Sequence, residues 1–244
     1  MKEYNSNWDK RYGKVLFDRA IGEAPEMESS KATSEELKNI IKKDDKVLDI
    51  GCGAGHYLVS LKKEITVPFS YTGGDVRPHY IELAKKAFED MSDVNFKEAD
   101  LFNLPFEDNS FDVVMCCNVL LHLPSIKKPM AELMRVAKRV VFVRTLIDER
   151  SFRVKEVHDN NGDEFDDNGE PKKFLFLNTY SKKYIKSLLP GKQVEILEDK
   201  NFSSKSITAA IEEQSEQPNV TRMLGGKQIS GNIVFPWCFI KIKL

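Results

Sequence analysis

The sequence predicts an α/β protein built around a largely parallel sheet. In its first half, short apolar runs alternate with segments of helical periodicity, which is the pattern of strands joined by crossover helices. One run, residues 46–50, stops abruptly at glycines that occupy alternate positions. Another, residues 111–118, is almost wholly apolar, as expected for a central strand buried on both faces.

Each predicted element has a local signal. Residues 34–43 carry apolar positions at helical spacing behind Thr33 or Ser34, either of which is a suitable N-cap. Pro78 suits the first turn of the helix that continues over residues 80–88. The other predicted elements of this half are strands at 46–50, 70–75, 94–99, 111–118 and 139–147 and helices at 56–63 and 130–137.

The second half is less regular. An Asn/Asp/Gly-rich turn separates two strands predicted at 152–157 and 173–178, and a serine precedes a helix predicted at 181–189. Two late strands are predicted at 193–198 and 233–244, whereas residues 203–231 are polar and give no assignment. The acids of the turn miss the register of a calcium loop, so we predict no metal.

Composition narrows the function classes. The net charge is −1 and no long basic run occurs, which disfavours nucleic acid as a partner. The four cysteines lack metal-ligand spacing and are predicted to be reduced thiols of a cytoplasmic protein: Cys52, Cys116, Cys117 and Cys238. The polar N-terminus predicts no signal peptide, and no apolar run of about eighteen residues predicts a membrane span.

The glycines after the first strand predict a ligand site. Residues 49–55 read Asp-Ile-Gly-Cys-Gly-Ala-Gly, and glycines let a backbone turn tightly and approach a ligand closely. A dinucleotide fingerprint would need a glycine where His56 stands, so a dehydrogenase is disfavoured. A plain glycine turn without a ligand remains the alternative.

Residues 49–55 resemble the first motif of class I S-adenosylmethionine-dependent methyltransferases. Further along, Gly74-Asp75 closes the second strand, Asp100-Leu101 follows the third, and residues 104–112 read LPFEDNSFD. This ordered succession over residues 47–147 resembles the methyltransferase type 11 group. The resemblance implies a Rossmann-like fold with a mostly parallel seven-stranded sheet, an antiparallel last strand and helices on both faces.

The same resemblance implies S-adenosyl-L-methionine as cofactor and S-adenosyl-L-homocysteine as product. A strand-end carboxylate such as Asp75 can accept hydrogen bonds from both ribose hydroxyls, with Val76 beside the adenine. A solvated acid that caps the next helix is the alternative for Asp75, and an exposed loop acid is the alternative for Asp100. The implied cofactor-binding residues are Asp49, Gly51, Cys52, Gly53, Gly55, Asp75, Val76, Asp100, Leu101, Asn118 and Arg11.

The chemistry is expected where the fourth strand ends and beneath covering segments. His122 follows Asn118 by four residues and would orient an acceptor or take its proton; a packed histidine is the alternative. Residues 1–33 resemble an N-terminal lid whose Tyr4, Trp8 and Tyr12 would face the substrate, unless they form a helix packed through Trp8 and Tyr12. Residues 148–192, an inserted hairpin and helix, would shape the acceptor pocket of a single domain spanning residues 1–244.

The resemblance therefore favours a methyltransferase for a small-molecule or metabolite acceptor, with oxygen slightly preferred over nitrogen or carbon. Residues 118–121, Asn-Val-Leu-Leu, depart from the Asn/Asp-Pro-Pro-Tyr motif of enzymes that methylate amino groups of nucleic acids. A protein or RNA methyltransferase and a catalytically silent binding module are the alternatives. The sequence does not specify an oligomeric state.

Overall fold

The computed structural model describes residues 10–157, 165–171, 174–199, 222–224, 227–230 and 233–244. Tyr4 and Trp8 lie outside these ranges. The helices are α1 (Lys10–Ala20), α2 (Glu28–Leu37), α3 (His56–Glu64), α4 (Pro78–Ala87), α5 (Lys127–Val136) and α6 (Lys182–Ser187). The strands are β1 (Lys46–Ile50), β2 (Ser70–Asp75), β3 (Val94–Glu98), β4 (Phe111–Cys117), β5 (Ala137–Asp148), β6 (Lys155–Val157), β7 (Phe174–Phe176), β8 (Tyr180–Ser181), β9 (Gln193–Glu198), β10 (Arg222–Leu224), β11 (Lys227–Ser230) and β12 (Ile233–Lys243).

The main sheet confirms the predicted α/β class. Its strand order is β10-β11-β12-β5-β4-β1-β2-β3, with β8 paired to β5 and β9 paired to β12. The pairs among β1 to β5 are parallel, and β12 runs antiparallel to β5. Parallel strands that alternate with helices produce this arrangement because each crossover helix must pack on a face of the sheet.

The sheet is wider than the seven strands expected, with ten strands in the described ranges. The extra width comes from β12, which is 11 residues long. Its first part pairs with β11, and its second part lies between β5 and β9. The short strand β8 adds to the extended end of β5.

Helix α2 lies earlier than the predicted helix at 34–43. It spans Glu28–Leu37, so Thr33 and Ser34 are buried inside it and cap nothing. Small polar residues make part of its contact with α3: Ser30 Oγ lies 2.8 Å from Ser60 Oγ. Hydrophobic spacing could not reveal this face, because hydroxyl groups carry much of the packing.

Two apolar layers cover the faces of the sheet. Helices α2, α3 and α4 bury one face with residues such as Leu37, Leu58 and Phe142. On the other face, α5 and α6 cover residues such as Leu48 and Val114. Strands β6 and β7 form a separate antiparallel pair, which α6 follows in the chain.

All four cysteines are free and buried. The thiols agree with the expectation of a chain without disulfides. Within the ranges given above, no helix combines the length and apolar character needed to cross a bilayer.

Gly73 provides a test of the packing in the middle of the sheet. It lies on β2 between Asp49 of β1 and Phe96 of β3, and a methyl group there would sit 2.6 Å from Phe96 Cδ1. Gly73→Ala should therefore lower the free energy of unfolding by about 1–3 kcal/mol, the usual cost of overpacking a core. Urea denaturation measures this change.

Ser70→Ala is the matched control, since Ser70 is exposed at the start of the same strand. Its free energy of unfolding should stay within about 0.5 kcal/mol of the unsubstituted protein. Equal stability of the two variants would contradict the packing described for β2.

Candidate active site

The candidate site lies at one edge of the sheet, where three parallel strands end. Strand β1 pairs in parallel with both β2 and β4, so their carboxyl ends emerge together. Gly51, Asp75 and Asn118 stand at these three ends. Open α/β sheets bind ligands at this edge because the strand ends leave a crevice there.

The loop after β1 needs glycine for conformational reasons. Gly51, Gly53 and Gly55 have φ angles of 81°, 55° and 80°, which lie in the left-handed region that favours glycine. Gly55 is the N-cap of α3, which begins at His56. The first turn of α3 therefore directs free backbone N–H groups toward the loop.

The loop is also tightly enclosed. The backbone N–H groups of Gly51 and Cys52 donate to the carbonyl oxygen of Gly74, at 2.7 and 3.2 Å. A methyl group on Gly51 would lie 2.1 Å from Cγ2 of Val119. Val119 is the residue that follows Asn118. A side chain is thus excluded at Gly51, where the backbone lies close to neighbouring groups.

Asp75 ends β2 with a buried carboxylate, 8% exposed. Its Oδ2 accepts from the Gly53 N–H and its Oδ1 from the Arg77 N–H, both at 3.0 Å. Burial raises its pKa, and the two backbone donors oppose this rise. Each oxygen retains a further acceptor position, and Val76 beside it exposes 48% of its apolar side chain.

Asp49, on β1 beneath the loop, is almost completely buried. The hydroxyl of Tyr71 donates to its Oδ2 at 2.8 Å. Burial raises the pKa of Asp49 to about 7, with a smaller contribution from Asp75, while the Tyr71 hydrogen bond lowers it. An ammonium group placed beside Asp49 would favour its ionised form. Burial also raises the pKa of the neighbouring Cys52 thiol, which therefore stays uncharged.

Asp100 and Leu101 follow β3 in a tight turn. The Oδ1 of Asp100, which is half-buried, accepts from the backbone N–H of Phe102 at 2.8 Å. The side chain of Leu101 packs into the apolar core. Leu101 can therefore reach a ligand at this edge only through its backbone.

Asn118 turns the chain sharply at the end of β4. Its φ angle is 61°, and its backbone N–H donates to the carbonyl of Arg144 at 2.9 Å. Its Nδ2 donates to the Tyr57 hydroxyl at 3.0 Å, and its Oδ1 accepts from Arg144 Nη1 at 2.6 Å. Because both ends of the amide are engaged within the protein, Asn118 faces the site with its backbone.

His122 ends the short 3-10 turn Leu120–His122. Its Nδ1 lies 2.8 Å from the carbonyl oxygen of Phe176, and burial lowers its pKa to about 4. A carbonyl only accepts hydrogen bonds, so the neutral ring carries its proton on Nδ1 and Nε2 is its acceptor atom. The hydroxyl of Tyr180, four residues after Phe176, donates to the carbonyl of Leu120 and so contacts the same 3-10 turn.

Helix α1 covers the glycine loop. Leu16 lies over Gly53, since a methyl group on Gly53 would sit 2.7 Å from Leu16 Cδ1. Tyr12 also belongs to α1, and burial raises its pKa. Arg11 lies on the same helix, with a side chain outside the described part. Helix α2, by contrast, belongs to the core, which confines the proposed lid to the residues before it.

Sequence reasoning missed three residues of the site: Tyr57, Tyr71 and Arg144. The two tyrosines contact Asn118 and Asp49. Only Arg144 has a visible signal in the sequence, as the single charge within the largely apolar stretch 140–147. A charge in a buried strand must be paired, but the sequence does not identify the partner.

These groups fit the cofactor that the resemblance implies. The loop offers backbone that carries no side chain at three glycines, Asp75 offers a buried carboxylate with further acceptor positions, and Val76 offers an exposed apolar surface. Asp49 offers a second carboxyl group whose ionisation a cation would favour. Among the described residues, no group of three or more His, Cys, Asp or Glu side chains is arranged to hold a metal ion.

Comparison with known proteins agrees with this geometry. Residues 47–140 match the model of a family described as a methyltransferase domain. A demethylmenaquinone methyltransferase of Staphylococcus saprophyticus is 34% identical over 98 residues, which are 40% of this chain and 42% of that protein. The chain thus spans less than half the length of this curated relative.

Solved methyltransferase structures share the fold at low sequence identity. A SAM-dependent methyltransferase from Aquifex aeolicus aligns with a TM-score of 0.54 and 19% identity, covering 96% of this chain and 98% of that one. The Haemonchus contortus phosphoethanolamine N-methyltransferase 2, solved in complex with S-adenosyl-L-methionine, aligns with a TM-score of 0.63. Its identity is 14%, over 98% of this chain and 58% of that chain.

The fold is that of the class I methyltransferases, with a doubly covered sheet and a glycine loop at its carboxyl edge. Residues 47–140 match the methyltransferase-domain model over the stretch that carries β1 to β4 and most of the candidate site. The fold expected from the sequence is therefore confirmed, and the expected methyltransferase resemblance is confirmed over residues 47–140.

Asp49 yields a prediction on stability and pH. Its pKa in the folded protein, about 7, exceeds the ordinary value of 3.8, so the native state binds more protons than the unfolded state between these values. Stability should therefore fall as pH rises through this window, by up to about 1.4 kcal/mol per pH unit. Asp49→Asn should abolish this contribution, as measured by urea unfolding at pH 5, 6, 7 and 8.

Asp93→Asn serves as the control. Lys62 lowers the pKa of Asp93, so its titration lies below this pH range and the variant should retain the slope of the unsubstituted protein. An unchanged slope in Asp49→Asn would show that Asp49 is already ionised at pH 5.

Proposed function

We propose that the chain is an active methyltransferase that binds S-adenosyl-L-methionine at the carboxyl edge of β1, β2 and β4 and methylates a small-molecule acceptor. The observation that supports this most directly is the meeting of the glycine loop, Asp49 and Asp75 at one edge. All three lie within the matched methyltransferase domain.

Each residue of the cofactor side has a role that follows from its position. Asp75 accepts the ribose hydroxyls through the acceptor positions that Gly53 and Arg77 leave. Asp49 faces the ammonium group of the cofactor's methionine portion, and Val76 offers an apolar surface to the adenine. Asp100 and the backbone of Leu101 read the adenine edge.

When bound, the cofactor supplies a methyl group on a sulfonium, which is already a good leaving group. Positioning of the acceptor therefore provides much of the catalysis. The protein contributes a closed, water-poor site: Leu16 of α1 covers the loop, and the 3-10 turn at Leu120–His122 borders the end of β4. The hairpin of β6 and β7 forms part of the acceptor side, since Phe176 binds His122.

On the acceptor side, His122 is the candidate for contacting a hydroxyl. Its ring is neutral above about pH 4, and the Phe176 carbonyl fixes Nε2 as the acceptor atom. A base with so low a pKa removes a hydroxyl proton poorly in the ground state, but it accepts a hydrogen bond and orients the oxygen. This role is compatible with a hydroxyl acceptor, the acceptor slightly preferred from the sequence. The name of the staphylococcal relative supports a small-molecule acceptor.

Calorimetric titration with S-adenosylmethionine, S-adenosylhomocysteine and NAD tests the function. We expect binding of both sulfur nucleosides with dissociation constants of about micromolar, and no response to NAD, because the loop lacks the dinucleotide spacing. Binding of NAD alone would refute the proposal. Failure of all three to bind would favour a silent module. If the protein methylated added protein or RNA but no small molecule, the acceptor would be a macromolecule rather than a metabolite.

Asp75→Ala tests the ribose assignment. Loss of hydrogen bonds to a charged group should weaken S-adenosylhomocysteine binding by about 1.5–3 kcal/mol, or roughly ten- to a hundredfold. Asp93→Ala is the control, because Asp93 is an exposed acid just before β3 that pairs with Lys62. Its affinity should equal that of the unsubstituted protein. Equal affinity in Asp75→Ala would refute the assignment.

His122→Ala tests the acceptor side. S-adenosylhomocysteine should bind normally, whereas turnover of an acceptor identified by screening should fall by about a hundredfold. His122→Gln separates two roles, since glutamine can orient a hydroxyl but cannot take its proton. Recovered turnover in the glutamine variant indicates orientation, and equal loss indicates proton transfer. Unchanged turnover in both variants would remove His122 from the mechanism.

A further inference from the structure

Arg144 is a buried cation on β5, only 2% exposed. Its Nε donates to Oδ2 of Asp199 at 2.7 Å, Nη2 lies 2.7 Å from the same oxygen in an ion pair, and the Asp199 side chain is fully buried. The guanidinium lies over the Trp237 ring at 4.1 Å from the centroid. Burial of a charge is costly unless it is paired, so the ion pair and the aromatic contact make this position tenable.

The third nitrogen of the guanidinium, Nη1, is directed toward the candidate site. It donates to Oδ1 of Asn118 at 2.6 Å, and the carbonyl of Arg144 accepts from the Asn118 N–H at 2.9 Å. The other end of the amide donates to Tyr57, whose hydroxyl donates in turn to Ser29 at 2.9 Å. Asn118 is therefore held from both sides of its amide.

The conformation of Asn118 determines where Val119 lies. Asn118 adopts a φ of 61°, which is uncommon for a residue other than glycine and persists where surrounding contacts hold it. Val119 then packs so closely on the glycine loop that Gly51 has no room for a methyl group. The wall of the candidate cofactor site thus depends on contacts made on β5.

We propose that Arg144, balanced by Asp199, is a positioning residue that holds the Asn118–Val119 turn against the glycine loop and thereby sets cofactor affinity. The inference rests on the proposed function, since it assigns the loop to the cofactor. Asp199 belongs to the segment that ends β9, and its N–H donates to the Trp237 carbonyl. The ends of β4 and β9 and the middle of β12 are therefore connected through one guanidinium.

Arg144→Lys is the first variant. Lysine keeps the charge, but a single ammonium lacks the planar fork that reaches Asp199 and Asn118 together. We expect S-adenosylhomocysteine binding to weaken by about tenfold, within the usual range for a residue that acts through a contact network. Arg139→Lys is the matched control, because Arg139 pairs with Asp45 at the opposite end of the same strand. Its affinity should remain within about twofold.

A double-mutant cycle separates positioning from general destabilisation. Asn118→Gly removes the amide yet tolerates the positive φ, and it should weaken S-adenosylhomocysteine binding to a similar extent. If Arg144 acts through Asn118, adding Arg144→Lys to that variant should change the dissociation constant by less than about twofold. Effects that multiply would overturn the proposal, as would unchanged affinity in Arg144→Lys alone.

A second variant guards against failure of Arg144→Lys to fold. Arg144→Met combined with Asp199→Leu removes both charges, and apolar replacement of a buried pair is often tolerated. This double variant should keep its unfolding midpoint near that of the unsubstituted protein but bind S-adenosylhomocysteine about tenfold more weakly. Unchanged affinity of this double variant for S-adenosylhomocysteine would overturn the positioning role of Arg144 but leave the proposed function intact. If the unsubstituted protein itself bound neither sulfur nucleoside, the proposed function would fail first.

Discussion

The parallel pairing of β1 with β2 and β4 is the constraint on which the rest of the structure depends. It brings three strand ends to one edge of the sheet. After each strand the chain must change direction there without filling the crevice. After β1, three glycines adopt left-handed conformations, and after β4 an asparagine does the same. At the end of β2, the Asp75 carboxylate accepts a hydrogen bond from a backbone N–H of the glycine loop. Every candidate cofactor contact from β1, β2 and β4 follows from this arrangement.

The cofactor side could be predicted from the sequence because its signals are local. The strand that ends in Asp49-Ile50-Gly51 and the acid at the end of β2 each lie within a few residues of the feature that explains them. The family match over residues 47–140 covers the same stretch. Short-range patterns of this kind carry both the conformational need for glycine and the chemistry of the acid.

The remaining features arise from contacts between residues far apart in the chain. Arg144 meets Asp199 across 55 residues, and Asn118 meets Tyr57 across 61. Helix α2 begins earlier than its apolar spacing predicts because hydroxyl groups form part of its contact with α3, and the sheet is wider than predicted because β12 pairs with different strands along its length. Such contacts leave no periodic trace in the sequence, since they depend on tertiary geometry rather than on spacing.

The buried cysteines have a consequence for chemical durability. The thiolate rather than the thiol is the reactive form, and burial raises the pKa of all four thiols, including Cys52 within the cofactor loop. In the folded state the four cysteine thiols are therefore held in their less nucleophilic, protonated form and away from oxidants. Oxidation of these four thiols therefore requires the sheet to open, so that their resistance to oxidants follows the resistance of the fold to unfolding.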